Sequence, residues 1–251
     1  MEKKDPRYQA YIQILKEELI PAMGCTEPIA LAYAAAVARK TLGEMPDKVV
    51  VEASGSIIKN VKSVIVPNTG HLKGINAAAA AGIVAGDPDK KLEVIATVSQ
   101  EQIRQMKQFM EEVPIQVVHM EDGCTFDIIV TVFSGKSYAK VRIANFHTNI
   151  VLIEKNGEVL KSEAVSDDSE EGLTDRTLLD MEHIWDFAMT ADIDDVKALL
   201  DQQVAFNVAI AEEGIKNDYG ANIGKVLLDM DGNNVRVRAK AMAAAGSDAR
   251  M

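Results

Sequence analysis

Cysteine is almost missing from this chain. Cys25 and Cys124 are the only two among 251 residues, which argues against a disulfide-stapled secreted scaffold and for an intracellular redox setting. Aromatic side chains make up 5% of the residues, so the core falls largely to Ala, Val, Ile, Leu and Met, a composition suited to close helix packing through small side chains. Positive charge is outnumbered, with 27 Lys plus Arg against 38 Asp plus Glu and a formal charge of -11. Nucleic acid rewards clustered Lys and Arg through counterion release, so no general DNA- or RNA-binding surface is expected. The alanine-rich run from Ala77 to Ala85 ends at Gly86-Asp87-Pro88-Asp89, well short of the roughly 20 residues that span a bilayer. The amino terminus, Met-Glu-Lys-Lys-Asp-Pro-Arg, lacks the apolar stretch of a secretory signal. A cytoplasmic protein without membrane attachment is expected. Walker A loop, dinucleotide fingerprint and GxSxG elbow are all missing, which lowers nucleotide hydrolysis, nicotinamide redox and α/β-hydrolase chemistry in rank.

What is present reads as an α+β chain: an N-terminal mixed helix and sheet domain over 1–165, then a mainly helical and incomplete one over 173–251. Tyr8, Tyr11, Ile12, Leu15 and Leu19 recur at helix spacing until Pro21 interrupts them. A second helix follows with Thr26 as N-cap, Glu27 and Pro28 in its first turn, and Gly43 as its stop. Strands are expected at 49–52, 62–66, 92–97, 115–119, 125–133, 138–143 and 149–154, with hairpin turns at Ser134-Gly135-Lys136 and Lys155-Asn156-Gly157. Helices are expected at 71–85, entered through Pro67-Asn68-Thr69-Gly70, and at about 100–112. The segment from Ser162 to Gly172 carries five acidic residues and three serines and has almost nothing to bury, making it the domain boundary. Thr174 then caps a helix through Leu178, Met181, Trp185 and Phe187, and helical pattern dominates 193–214 and 239–245.

Gly24-Cys25-Thr26-Glu27-Pro28 is the strongest local feature. It sets a thiol at the first turn of a helix, where free N–H groups and the helix field favour thiolate, the form needed for attack or iron ligation. A small apolar Cys packed between helices is an equally good reading. Cys124 is read as a packed thiol. The four histidines, His71, His119, His147 and His183, have no zinc spacing. Asn68, Thr69 and Gly70 could present amide, hydroxyl and backbone N–H groups to a carboxylate or phosphate, or form an ordinary capped turn. His147-Thr148-Asn149 could hold an amino acid or move a proton, with a polar strand edge as the bland alternative. Asp229-Met230-Asp231-Gly232 fails as a calcium loop because its glycine comes at the fourth position.

The strings Gly24 to Ala32, Pro67 to Gly70, Leu72-Lys73-Gly74, Arg142-Ile143 with His147-Thr148-Asn149, and Ala245 to Met251 together resemble the L-cysteine desulfidase family, serine dehydratase-like proteins of the UPF0597 group. The resemblance implies an oxygen-sensitive 4Fe-4S lyase converting L-cysteine to pyruvate, ammonia and sulfide, with L-serine deaminases among related members. Cys25 matches one of three cluster cysteines. Members of that family are longer, and their other ligand cysteines lie beyond the point matching Met251, so this chain is expected to carry an incomplete cluster site and to be inactive alone. His147 is the candidate for proton transfer, with Asn68, Thr69, Gly70, Thr148 and Asn149 near substrate. Two further readings stay open: a non-enzymatic amino acid binding or regulatory domain, and a homo-oligomer or a subunit completed by a missing C-terminal polypeptide.

Overall fold

The computed structural model describes residues 1–22, 24–165 and 173–249. Its elements in chain order are α1 (Pro6–Glu18), α2 (Thr26–Leu42), β1 (Lys48–Ser54), α3 (Gly55–Val61), α4 (Gly74–Ala85), a 3-10 segment (Pro88–Glu93) and α5 (Gln100–Glu112). Five strands follow: β2 (Ile115–Met120), β3 (Asp127–Ser134), β4 (Ser137–Ala144), β5 (Ile150–Lys155) and β6 (Glu158–Ser162). A 3-10 turn (Arg176–Leu178), α6 (Met181–Thr190), α7 (Ile193–Lys216), α8 (Ile223–Asp231) and α9 (Val235–Asp248) complete the described chain. The architecture is a mixed helix and sheet region followed by a mainly helical stretch. By contacts the described residues form two compact units, 22–165 and 1–21 with 173–249. The candidate linker's residues 166–172 lie outside the described residues. No described helix is long and apolar enough to cross a membrane.

In the sheet unit the strand order is β2-β1-β3-β4-β5-β6, with β1 and β2 parallel and the other pairs antiparallel. Alternation along the strands sends Val49, Val51, Ala53, Ile128, Val130, Val132, Ala139, Val141 and Ile143 to one fully buried face. Helix α2 lies against β3 and β4 on that face and α4 packs on α2. Alanine makes the close approach feasible, and Gly82 makes it obligatory, since a β-carbon there would sit 2.0 Å from the Ala32 carbonyl oxygen. Gly43 ends α2 in the left-handed region (φ 93°). On the opposite face Asp127, fully buried, takes two bonds from the Arg142 guanidinium at 2.9 and 2.5 Å.

In the helical unit α1 buries Tyr8, Tyr11, Ile12 and Ile14. The Phe187 ring meets those of Tyr8 and Tyr11 edge-on, with centroids 5.3 and 5.4 Å apart. The Tyr8 hydroxyl donates to Asp195 (2.8 Å) and the Tyr11 hydroxyl to the Leu178 carbonyl (2.7 Å). Arg176 and Thr174 both bond Glu17, at 2.7 and 2.8 Å. Ala245 is the hub of the remaining helices: β-carbons at Gly214 and Gly224 would lie 2.1 Å from its carbonyl oxygen and 2.6 Å from its methyl. The nearby Asp248 carboxylate accepts from the Gly224 N–H (3.1 Å) at the start of α8.

Several expected elements are corrected. Residues 62–66 form no strand; Ile65 makes a single bridge to Lys73, and the chain folds straight back, with the Val66 N–H on Leu72. Residues 92–97 are 3-10 and turn, and Leu92, Val94 and Ile95 plug the core without pairing. The helix expected from His71 starts at Gly74, because His71 (φ 66°) and Gly74 (φ 88°) are left-handed. Cys25, not Thr26, is the N-cap of α2. Asp175 and Asp180 cap the segments that Thr174 was expected to start, while Thr174 itself bonds Glu17.

Candidate functional site

The N-terminus of α2 gathers the chemistry. Cys25 has extended backbone (φ −65°, ψ 123°) and makes no side-chain capping bond; its thiol donates instead to Glu27 Oε2 at 3.2 Å. Thr26 Oγ1 reaches the same oxygen (3.3 Å), and Asn60 Nδ2 donates to Glu27 Oε1 (3.2 Å) from α3. Burial alone would raise the Glu27 carboxyl, but bonds from Cys25, the backbone and Asn60, with the charge of His147, hold it below its ordinary value.

This corrects the thiolate expectation. Burial first, then the Glu27 carboxylate, push the Cys25 thiol up to about 11, so the free thiol is protonated at neutral pH. The helix field is outweighed by a carboxylate within hydrogen-bond reach.

His147 belongs to the same electrostatic neighbourhood. Burial pushes its pKa down, while Glu27 pulls it upward. Its Nε2 is buried and has no hydrogen-bond partner, and its ring packs against Phe126 at a centroid distance of 4.5 Å. A neutral imidazole with an uncommitted nitrogen is a proton acceptor in waiting, and leaving such a group unpaired costs about 1–3 kcal/mol.

The other sequence candidates are more committed. Asn68, itself left-handed (φ 59°), donates through Nδ2 to the carbonyls of Ile95 (3.0 Å) and Ala96 (3.2 Å). Thr69 is fully buried and donates to the Val66 carbonyl at 2.7 Å. Gly70 is exposed and left-handed (φ 67°). What this turn has left for a ligand is the Asn68 side-chain oxygen and its backbone. Asn149 Nδ2 donates to the Ala144 carbonyl (3.1 Å), and Thr148 is half-buried in the same loop. Cys124 donates to the Phe126 carbonyl (2.9 Å), and burial raises its pKa. The Cys25 thiol thus bonds Glu27, and the Glu27 carboxylate and the His147 imidazole each shift the other's titration. In the sequence Glu27 reads only as a first-turn charge and Asn60 carries no signal; the sole hint is a carboxylate two positions after the cysteine. Among the described residues no three His, Cys, Asp or Glu side chains converge in a way that could hold a metal ion.

These observations define an α+β protein with a thiol and a carboxylate bonded at one helix N-terminus and an imidazole, its Nε2 buried without a hydrogen-bond partner, within the field of that carboxylate. Comparison with known proteins then gives its relatives. The chain is 57% identical over 251 residues to a UPF0597 protein of Desulfitobacterium hafniense, covering 100% of this chain and 58% of the relative. It is 47% identical over 244 residues to a UPF0597 protein of Lachnoclostridium phytofermentans, covering 97% and 58%, and 42% identical over 251 residues to one of Treponema denticola, covering 98% and 58%. The chain is homologous to the UPF0597 family along essentially its whole length, and it spans about 58% of the length of the relatives it matches. No family model matches it, and no solved structure does.

Proposed function

We propose that the family-length protein is a lyase that eliminates sulfide from L-cysteine, and that this chain supplies its proton-transfer residue. The observation that carries the reading is the buried Nε2 of His147, without a hydrogen-bond partner and within the field of the Glu27 carboxylate that the Cys25 thiol bonds. His147 takes the α-proton at Nε2, and Glu27 stabilises the imidazolium that forms. The Cβ–S bond breaks as the α-carbanion electrons form the Cα–Cβ double bond, and the departing sulfur receives the proton from His147. The released 2-aminoacrylate tautomerises to an imine that water hydrolyses, so L-cysteine and water give pyruvate, ammonia and hydrogen sulfide. Asn68, Thr69, Gly70, Thr148 and Asn149 are assigned to substrate contact, the turn through its backbone and the Asn68 side-chain oxygen.

The family resemblance adds a 4Fe-4S cluster with Cys25 as one ligand. The donors of this chain do not by themselves fit that group: Cys25 offers one thiol, Cys124 is turned to the Phe126 carbonyl, and no third donor converges among the described residues. The remaining ligands are assigned to sequence outside this chain.

The test is an anaerobic assay of the family-length protein with L-cysteine. Sulfide and pyruvate should form one for one, and His147→Gln should lower kcat by about 100-fold or more, the usual weight of a general base. Full turnover in His147→Gln removes His147 from the role. Pyruvate from L-serine alone makes the protein a serine deaminase, and saturable binding without product makes it a binding or regulatory domain.

A further inference from the structure

The helical unit carries most of the large apolar side chains left exposed among the described residues. Of the 19 large hydrophobic residues exposed in the described chain, 13 lie between Leu179 and Val235. They are organised by element. On α6, Met181, Ile184, Trp185 and Met189 form one exposed stripe, with Met181 80% and Trp185 68% accessible; Trp185 lies roughly 200° round the helix from Phe187, which faces α1. On α8, Ile223, Val226 and Met230 follow helix spacing on one exposed side, while Gly224 packs against Ala241 and Ala245 of α9.

Helix α7 is the most telling. Residues 201–209 are all exposed, Val204, Phe206 and Val208 among them. Side chains two positions apart point to opposite sides of a helix, so these three cannot be covered by one flat surface. A helix apolar on several sides belongs inside a bundle.

We propose that α6, α7 and α8 are the seat of the polypeptide that UPF0597 relatives carry outside the stretch matched here, docked as packing elements around the middle of α7. About 42% of each relative lies outside the matched stretch, which is enough chain to enclose a helix on more than one side. A second copy meeting this chain through a flat two-fold patch would leave part of α7 bare. The proposal does not depend on the reaction assigned above.

Trp185 is the only tryptophan in the chain and reports on this surface directly. Its emission and its quenching by iodide should be recorded for the chain alone and after addition of the unmatched segment of the Desulfitobacterium hafniense relative, with any tryptophan of that segment replaced by Phe. The same measurement on the two joined as one polypeptide covers the case in which the separate segment does not fold. Docking predicts a blue shift and a severalfold fall in quenching. It also predicts that Phe206→Asp removes the complex in trans while leaving the chain's own melting curve unchanged. An unchanged Trp185 in the joined protein overturns the proposal. So does shielding of Trp185 in the chain alone as its concentration rises, which assigns the face to a second copy, or shielding by phosphatidylcholine vesicles, which assigns it to a lipid surface.

Discussion

The two units spend their apolar residues in opposite ways. In the sheet unit α2 is buried almost from end to end, and only five of the 19 large hydrophobics exposed among the described residues fall there. In the helical unit α7 runs 24 residues but buries only Val196, Ala211 and Gly214. One unit has a finished core of small side chains at close range. The other has a finished seam around Ala245 and a second around Phe187, with open faces between. Helices α2 and α7 are equally regular yet unequally supported, and tertiary burial is where most helical stability comes from.

Substitution should separate the units most sharply at Gly82. Gly82→Val places side-chain atoms against the Ala32 carbonyl and is expected to cost at or beyond the upper end of the about 1–3 kcal/mol of ordinary overpacking. Phe206→Ser in the open helix should stay within about 0.5 kcal/mol. Urea melts of both variants check the contrast, and equal losses would break it. Next in size is Asp127→Ala, which strands the Arg142 guanidinium. With Arg142 27% exposed and Asp127 fully buried, the loss should be about 3 kcal/mol, the low end for a broken buried pair.

A smaller effect singles out the helical unit in acid. Burial alone would raise Glu17, but Arg176 and Thr174 hold it at about 2, below its ordinary 4.5. Its contribution is fully present above about pH 4.5 and drains away as pH falls toward about 2. Near-UV dichroism of the Tyr8 and Tyr11 packing should show this loss, and Glu17→Gln should remove the pH dependence. A step that persists in Glu17→Gln assigns the acid sensitivity to other groups.

How much of this was legible depended on range. Helix α5 and the hairpin strands β3, β4 and β5 follow from local period and turn chemistry, and Ser99 completes a capping box with Gln102 at the start of α5. The apolar runs at 62–66 and 92–97 misled because so short a run fits a strand or a core plug equally well. The electrostatic coupling of His147 to Glu27 links residues more than 100 positions apart, and no local pattern encodes it. Nor does any encode the packing of Tyr8 and Tyr11 on Phe187. The thiolate expectation fails for a physical reason: burial and the carboxylate two residues on together outweigh the helix field.

Native-state hydrogen exchange on the chain alone tests the contrast between the units most directly. The account predicts that amides of α2 exchange only through global unfolding, while those of α7 over 201–209 exchange through local opening at far lower free energy. Protection of 201–209 equal to that of α2 would contradict it.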